Sequence, residues 1–441
     1  MRIVYVSQYF PPEVAAPAVR VHELAREWVR AGHQVTVLTG FPHHPTGVVP
    51  VEYRGFARKF ETLDGIRVIR TWLLAAPNVG VLRRSLCYTS FALSAMLSGA
   101  LYIRRPDVVI ATSPQLLVGA AGWFLARVKR CPFVFEVRDL WPDALIAVGM
   151  SKGGMPFRLL KRVESFLYHH AEAVAAVTRG FKKTISRQTD AAVWYVPNGV
   201  DLSLFRPLKA PARSSPRVGY LGTIGLAHGL DLLLRVASRL PKVEFHIWGA
   251  GADKERLTRA ASAMKLGNLS FHPPIPRREM PSAYASLDVC VVMLRPHPLF
   301  TDFLPSKLLE ALACGVPVVA VLEGEGATVA GEAGGTVVKP GDEDGLTRAI
   351  AAAVEERGLN RRRAMSGREY IKRCFDRKFW AERYLTFLDG LTARRWSCRA
   401  ATRPASRKRS ADRRPTSRWS GSAAASCEKR KHEKRFRRGA D

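Results

Sequence analysis

Apolar residues along most of this chain fall in short, β-branched runs separated by amphipathic stretches. Ile3 to Ser7, Gln34 to Thr39, Ile66 to Thr71, Val108 to Thr112, Phe133 to Val137, Ala173 to Thr178 and Ala192 to Val196 read as strands. Between the first two, Arg20 to Ala31 reads as a helix that Gly32 stops. A second set begins at Arg217 to Leu221 and continues through Val243 to Trp248, Leu269 to His272, Val289 to Leu294, Val316 to Val321 and Gly335 to Val338. Repeated strand-helix-strand units imply parallel sheets covered on both faces. Two such sets, separated near residues 198–216, predict an α/β protein of two doubly wound domains.

The densest chemistry lies in the run Thr301-Asp302-Phe303-Leu304-Pro305-Ser306-Lys307-Leu308-Leu309-Glu310 and the Gly315-Val316-Pro317-Val318-Val319-Ala320 that follows it. Pro305 and Ser306 suit a helix start, Leu308, Leu309 and Leu312 form its apolar stripe, and Gly315 with Pro317 ends it. Asp302 then lies in the loop before the helix and Glu310 on it, with Lys307 between. Two carboxylates at different depths around an anion-attracting helix N-terminus suit a polyhydroxylated, phosphorylated ligand such as a nucleotide sugar.

This run resembles the signature of the retaining glycosyltransferases of family 4: a Glu, seven residues, a second Glu, then a small-residue helix end and a Gly-x-Pro-Val-Val strand. Asp302 stands where the first Glu would be, one methylene shorter. Tyr220-Leu221-Gly222-Thr223-Ile224-Gly225-Leu226-Ala227-His228 is similar to the family's phosphate loop, with Thr223 and His228 near the usual Arg and Lys. The resemblance implies that Gly222, Thr223, Gly225, Lys307 and, if it is protonated, His228 meet the diphosphate. It assigns the ribose hydroxyls to Glu310 and a hydroxyl of the transferred sugar to Asp302. Trp248-Gly249-Ala250-Gly251 resembles the family's Gly-x-Gly turn, and Ala15 with Ala16 stand where many members have paired glycines facing the donor. Phe135-Glu136-Val137-Arg138-Asp139-Leu140-Trp141-Pro142 resembles a subgroup that builds bacterial surface polysaccharides, including acetamido-deoxyhexose (fucosamine-type) transferases. It puts Arg138 and Asp139 on the catalytic side of the cleft; the alternative is a buried Arg–Asp pair that fixes the loop.

Composition narrows the setting. The seven cysteines, scattered and without C-x-x-C spacing, read as reduced thiols rather than a disulfide frame or zinc site. The opening Met1-Arg2-Ile3-Val4-Tyr5-Val6 reads as a buried strand and not a signal peptide. Much of the net charge of +31 gathers at the end, where residues 391–441 hold 17 Lys and Arg against four acids. So little aliphatic content cannot offset ordering entropy, and a disordered tail is expected. Ser85 to Ile103 carries no charge and is bracketed by Arg83-Arg84 and Arg104-Arg105. Its length could just span a bilayer, but its hydroxyls and its place before a strand favour a crossover helix with one face at a membrane surface.

The resemblance implies the GT-B fold, two Rossmann-like domains facing a central cleft. The divisions expected are an acceptor-side domain at 1–205, a nucleotide-sugar domain at 206–373, a returning helix at 374–392 and a basic tail at 393–441. The implied enzyme moves a sugar, an N-acetylated or deoxy hexose, from a nucleotide diphosphate, UDP by expectation, with neither metal nor further cofactor. Its acceptor would be a polyprenyl-diphosphate-linked or other glycan in polysaccharide synthesis, and its place the cytoplasmic face of the plasma membrane, on anionic lipid. Two rivals are a nucleotide-sugar 2-epimerase of the same fold and a non-enzymatic nucleic-acid binder, which would rest on charge alone.

Overall fold

The computed structural model describes residues 1–401 except 14, 45, 77–80, 149–153 and 210–213. The first lobe is built on eight strands: β1 Arg2–Val6, β2 Gln34–Gly40, β3 Arg58–Leu63, β4 Ile66–Thr71, β5 Val108–Thr112, β6 Phe133–Val137, β7 Ala173–Ala176 and β8 Ala192–Tyr195. They lie in the order β3-β4-β2-β1-β5-β6-β7-β8. All neighbours are parallel except β3, which pairs antiparallel with β4. The second lobe has β9 Arg217–Leu221, β10 Glu244–Trp248, β11 Leu269–His272, β12 Val289–Met293, β13 Val318–Val321 and β14 Thr336–Val338 in the order β11-β10-β9-β12-β13-β14, all parallel.

The expected strands match these within a residue or two at each end, and only β3 was not anticipated. Its Arg58, Lys59 and Glu61 give no apolar run, because it is an edge strand beyond the apolar β4. The available signal was Asp64-Gly65, both with positive φ (50° and 77°), the two-residue turn that suits a tight hairpin.

Helices cover both sheets. In the first lobe these are α1 Ala16–Arg30, α2 Val81–Tyr102, α3 Leu116–Lys129, α4 Met155–His170 and α5 Arg179–Ile185. The second lobe adds α6 Asp231–Arg239, α7 Lys254–Ala263, α8 Met280–Ala285, α9 Ser306–Ala313, α10 Gly324–Glu332, α11 Glu343–Glu355 and α12 Arg357–Phe375. The uncharged segment 85–103 lies in α2, whose Cys87, Phe91, Ala92 and Ala95 are buried in the first lobe's core. Among the described residues no helix is long and apolar enough to cross a membrane.

The chain crosses between lobes twice, and the crossings pair. Val200 N–H donates to Phe375 O (2.8 Å) and Arg377 N–H to Val200 O (3.1 Å), while Gly199 takes the positive φ (59°) that its Asn-Gly sequence suggests. The second crossing feeds α13 Arg377–Ala401, which runs past the expected end at residue 392; the basic tail beyond Ala401 lies outside the described residues. α13 belongs to the first lobe. Ala381, Tyr384 and Leu388 are buried with Trp28 and Val35, and Trp28 Nε1 donates to Ala381 O at 3.0 Å.

Candidate active site

The first lobe's contribution stands on a buried charge pair at the carboxyl edge of its sheet, where open α/β folds bind ligands. Glu136, at the end of β6, accepts from Arg20 Nη2 (2.9 Å), Tyr5 Oη (2.7 Å) and Thr112 Oγ1 (2.9 Å). Burial alone would raise this carboxyl, but the Arg20 guanidinium and these donors hold it below the usual range. Arg20 also donates to Val196 O (2.9 Å) and Pro197 O (2.7 Å), so the pair anchors the first crossing to the sheet.

Arg138, two residues further on, is different. Its backbone N–H donates to Ser113 Oγ (2.8 Å), but its side-chain Nε and Nη1 are buried with no hydrogen-bond partner. The alternative of a fixed Arg138–Asp139 ion pair is not seen among the described residues. Burial holds the Arg138 guanidinium below its usual value, Arg20 adding to the effect, and pushes the Asp139 carboxyl up to about 6. Unpaired buried donors are expensive unless a ligand completes them.

In the second lobe β9 runs into Gly222, whose φ of 134° turns the chain into the loop expected to meet phosphate, called the phosphate loop below. Lys307, in the first turn of α9, lies over this turn. Its ammonium sits 4.0 Å from the centre of the Tyr220 ring and donates to Tyr220 Oη (2.5 Å), which in turn donates to Thr223 O (2.6 Å). A Cβ on Gly222 would come within 3.0 Å of Lys307 Nζ. Lys307 is therefore built into the loop rather than solvated on a helix surface, and burial brings its ammonium down to about 7.

The condition attached to His228 is not met in the free cleft: burial, helped by the Lys307 charge, lowers its imidazole to about 3, and its Nδ1 faces Met293 O at 3.4 Å. Gly249 supports the Gly222 loop from below. With φ at 152°, its missing Cβ would lie 1.9 Å from Gly222 O, and Gly251 makes the same allowance for Ile224 O at 2.1 Å. Gly225 opens the short turn Leu226–His228, and Thr223 is exposed beside it.

Between the lobes, Arg277 joins three elements. It pairs with Glu310 (Nη1 to Oε1, 2.8 Å), pairs with Glu23 of α1 (Nη2 to Oε1, 2.9 Å) and stacks on Phe205 at 4.9 Å. Arg377 meets the second oxygen of Glu23 and donates to Gly199 O (2.6 Å). A cavity of about 150 Å³ opens beside this network, lined by Ala15, Ala16, Arg138, Asn198, Arg277, Ser306, Glu310 and Arg377. The N-termini of α1 and α9 both reach it, and neither has a side-chain cap or an acid in its first turn.

Of the residues expected from sequence, Ala16, Arg138 and Glu310 line this cavity, and Lys307 with Gly222 adjoins it through Ser306. Asp302 stands apart. It presses on Gly180 at the start of α5, where a Cβ would fall 2.1 Å from Oδ1, and Glu325 Oε2 accepts the Gly180 N–H beside it at 3.1 Å. Arg277, Arg377 and Glu23 were missed, because they meet their partners across 33 to 354 residues; Ser306 and Tyr220 stood inside the two quoted runs without being given a part in the site. Among the described residues no group of three or more His, Cys, Asp or Glu side chains could hold a metal ion.

Comparison with known proteins fits this geometry. Residues 15–199 match the family described as glycosyl transferase 4-like domain, and residues 215–356 that described as glycosyl transferases group 1. A protein of Escherichia coli K12 named as a colanic acid biosynthesis glycosyl transferase, WcaI, is 26% identical over 414 residues, covering 88% of this chain and all of that protein. Sucrose-phosphate synthase of Thermosynechococcus elongatus superposes with a TM-score of 0.74 at 21% identity, over 89% of this chain and 99% of its own. HepE of Anabaena, solved with UDP-glucose, gives 0.66 at 15% identity, over 88% of this chain and all of its own. Two matched halves, the first glycosyl transferase 4-like and the second of group 1, face each other across the cleft, and this chain is a nucleotide-sugar-dependent glycosyltransferase with the GT-B fold.

Proposed function

We propose that this enzyme transfers an N-acetylated or deoxy hexose, with retention of configuration, from a uridine diphosphate donor to a polyprenyl-diphosphate-linked or other glycan acceptor. The setting is cell-surface polysaccharide synthesis, O-antigen or capsule, on the inner face of the plasma membrane. The observation that carries this reading is the cavity where two uncapped helix N-termini meet the unpartnered donors of Arg138 and the Glu310 carboxylate. The name of WcaI supports the acceptor class, and the UDP-glucose in HepE supports the base.

In this reading the bond from the sugar's C1 to the diphosphate breaks as the acceptor oxygen bonds to C1 on the same face, and the acceptor's proton passes to the departing phosphate oxygen. Lys307, the Gly222 backbone and the α9 N-terminus take the charge that develops on the diphosphate, which serves in place of a metal. Arg138 and Asp139 lie on the acceptor side. Glu310 accepts from the ribose while still paired with Arg277, since a carboxylate offers about four acceptor sites. Asp302 reaches the transferred sugar once it leaves Gly180.

Titration calorimetry with UDP and with the UDP-sugar tests the donor assignment. Glu310→Gln is expected to weaken both ligands alike, by about 1.5–3 kcal/mol, because both carry the ribose. Asp302→Asn is expected to leave UDP affinity nearly intact while slowing transfer and relaxing sugar choice. Equal losses for both ligands in both variants would overturn the assignment.

A further inference from the structure

Helix α2 is buried along one side, yet its opposite side is largely apolar and, among the described residues, exposed. Leu82, Leu86, Leu93, Leu97 and Leu101 are 74%, 47%, 62%, 59% and 58% exposed. Spacings of four and seven put them on one outer stripe, with Thr89 filling the remaining turn. From Leu82 to Leu101 the stripe runs about 28 Å at the rise of an α-helix. The segment that enters α2 widens it: Leu74 N–H is bound by Ser90 Oγ (2.8 Å), and Ser94 Oγ donates to Trp72 O (2.5 Å), which leaves the Trp72 and Leu74 side chains exposed beside the helix. A soluble surface rarely gathers so much contiguous apolar area without a partner.

Charge identifies the partner. α2 contains no Asp or Glu, and its stripe is closed at the start by Arg83 and Arg84 and just past the end by Arg104 and Arg105. A second copy laid along the stripe would set arginines against arginines in either direction: parallel pairing matches like ends, and antiparallel pairing brings Arg83 and Arg84 to Arg104 and Arg105. An anionic lipid surface accepts both cationic ends and the leucines between them, with Trp72 at the depth that an indole favours. We propose that the outer face of α2, with Trp72 and Leu74, is the surface by which this enzyme lies on an anionic bilayer. The proposal rests on the membrane-side location given above and names the residues that realise it. α2 begins after the loop that leaves the carboxyl end of β4, on the cleft side of the first sheet, so its first turn places the lipid where a lipid-linked acceptor would enter the acceptor lobe.

The full-length protein is sedimented with vesicles of phosphatidylcholine alone and with 30% phosphatidylglycerol, at low and at high salt. Binding to the anionic vesicles is expected, with a fraction that survives high salt because the leucines are inserted. Leu93→Asp with Leu97→Asp, both at exposed positions, is expected to lower anionic-vesicle partitioning at least tenfold and remove the salt-resistant fraction, with an unchanged melting temperature. Unaltered partitioning of the double variant would overturn the proposal and assign any binding to the basic tail. A wild-type dimer that the double variant splits in sedimentation velocity would also overturn it, in favour of a second copy. Nucleotide release with a water-soluble acceptor keeps the two readings apart. Turnover without vesicle binding sinks the docking surface alone; vesicle binding without turnover on any donor sinks the proposed reaction alone.

Discussion

The two lobes reach the same cleft by opposite means. In the first, the cleft edge is organised by buried charge: Arg20 and Glu136, 2% and 0% exposed, hold each other, the sheet and the crossing between lobes. In the second it is organised by steric absence, since Gly249 and Gly251 exist so that the backbone of the phosphate loop can lie on them. The charge pair has no capacity left over, because every strong donor and acceptor is used. The glycine platform is the reverse: it fixes a loop while committing no charge, so the nearby Lys307 is held only by a hydroxyl and a ring. A self-satisfied pair positions; an under-satisfied cation waits for a ligand.

Breaking the charged half should have the largest effect. Glu136→Gln leaves the Arg20 guanidinium buried without its counter-charge, a loss of about 3–5 kcal/mol. Urea denaturation followed by tryptophan fluorescence should register it as a lowered midpoint with an unchanged slope. A loss under 1 kcal/mol would mean that the pair does not support the first lobe.

The glycine platform is tested by Gly249→Ala. The added methyl meets Gly222 O and the residue must hold a positive φ, so about 1–3 kcal/mol of strain falls on the phosphate loop. Weaker binding of nucleotide diphosphate by tenfold or more is expected, with transfer reduced in proportion. A variant with wild-type donor affinity would show that the loop does not depend on its support.

Lys307→Ala should cost less still, about 1.4 kcal/mol or somewhat more in kcat/KM, with little change in melting temperature. Its pH signature is more informative. In the free cleft the ammonium loses its proton near pH 7, and a bound diphosphate favours the charged form and raises that value. Above pH 7, donor binding should take up a proton, and affinity should fall by up to tenfold for each unit of rising pH. Calorimetry at pH 8 in buffers of different ionisation enthalpy measures that uptake, and Lys307→Ala should abolish it. Equal uptake in the variant would place the titrating group elsewhere.

The sequence carried the fold well because buried parallel strands are written as continuous apolar runs, as in Val108 to Thr112. It carried β3 poorly because an edge strand can be charged. For the site, it singled out Gly222, Lys307 and Glu310 by local pattern, but not the burial that brings the Lys307 ammonium down to about 7. His228 reads as a potential cation in isolation and becomes a neutral ring only when Met293 and Lys307, more than 60 residues away, surround it. Arg277 gave no signal at all, since its partners Glu23 and Glu310 are 254 and 33 residues distant.

The place of α13 has a consequence for how the molecule comes into being. Tyr384, Phe387 and Leu388 cover Trp28 and Trp194, which the first half of the chain presents long before that cover is synthesised. The first lobe is thus the earliest to leave the ribosome and the last to be finished. Until residues 377–388 emerge, it carries an uncovered aromatic face, so the second lobe must fold beside a partner that is still open.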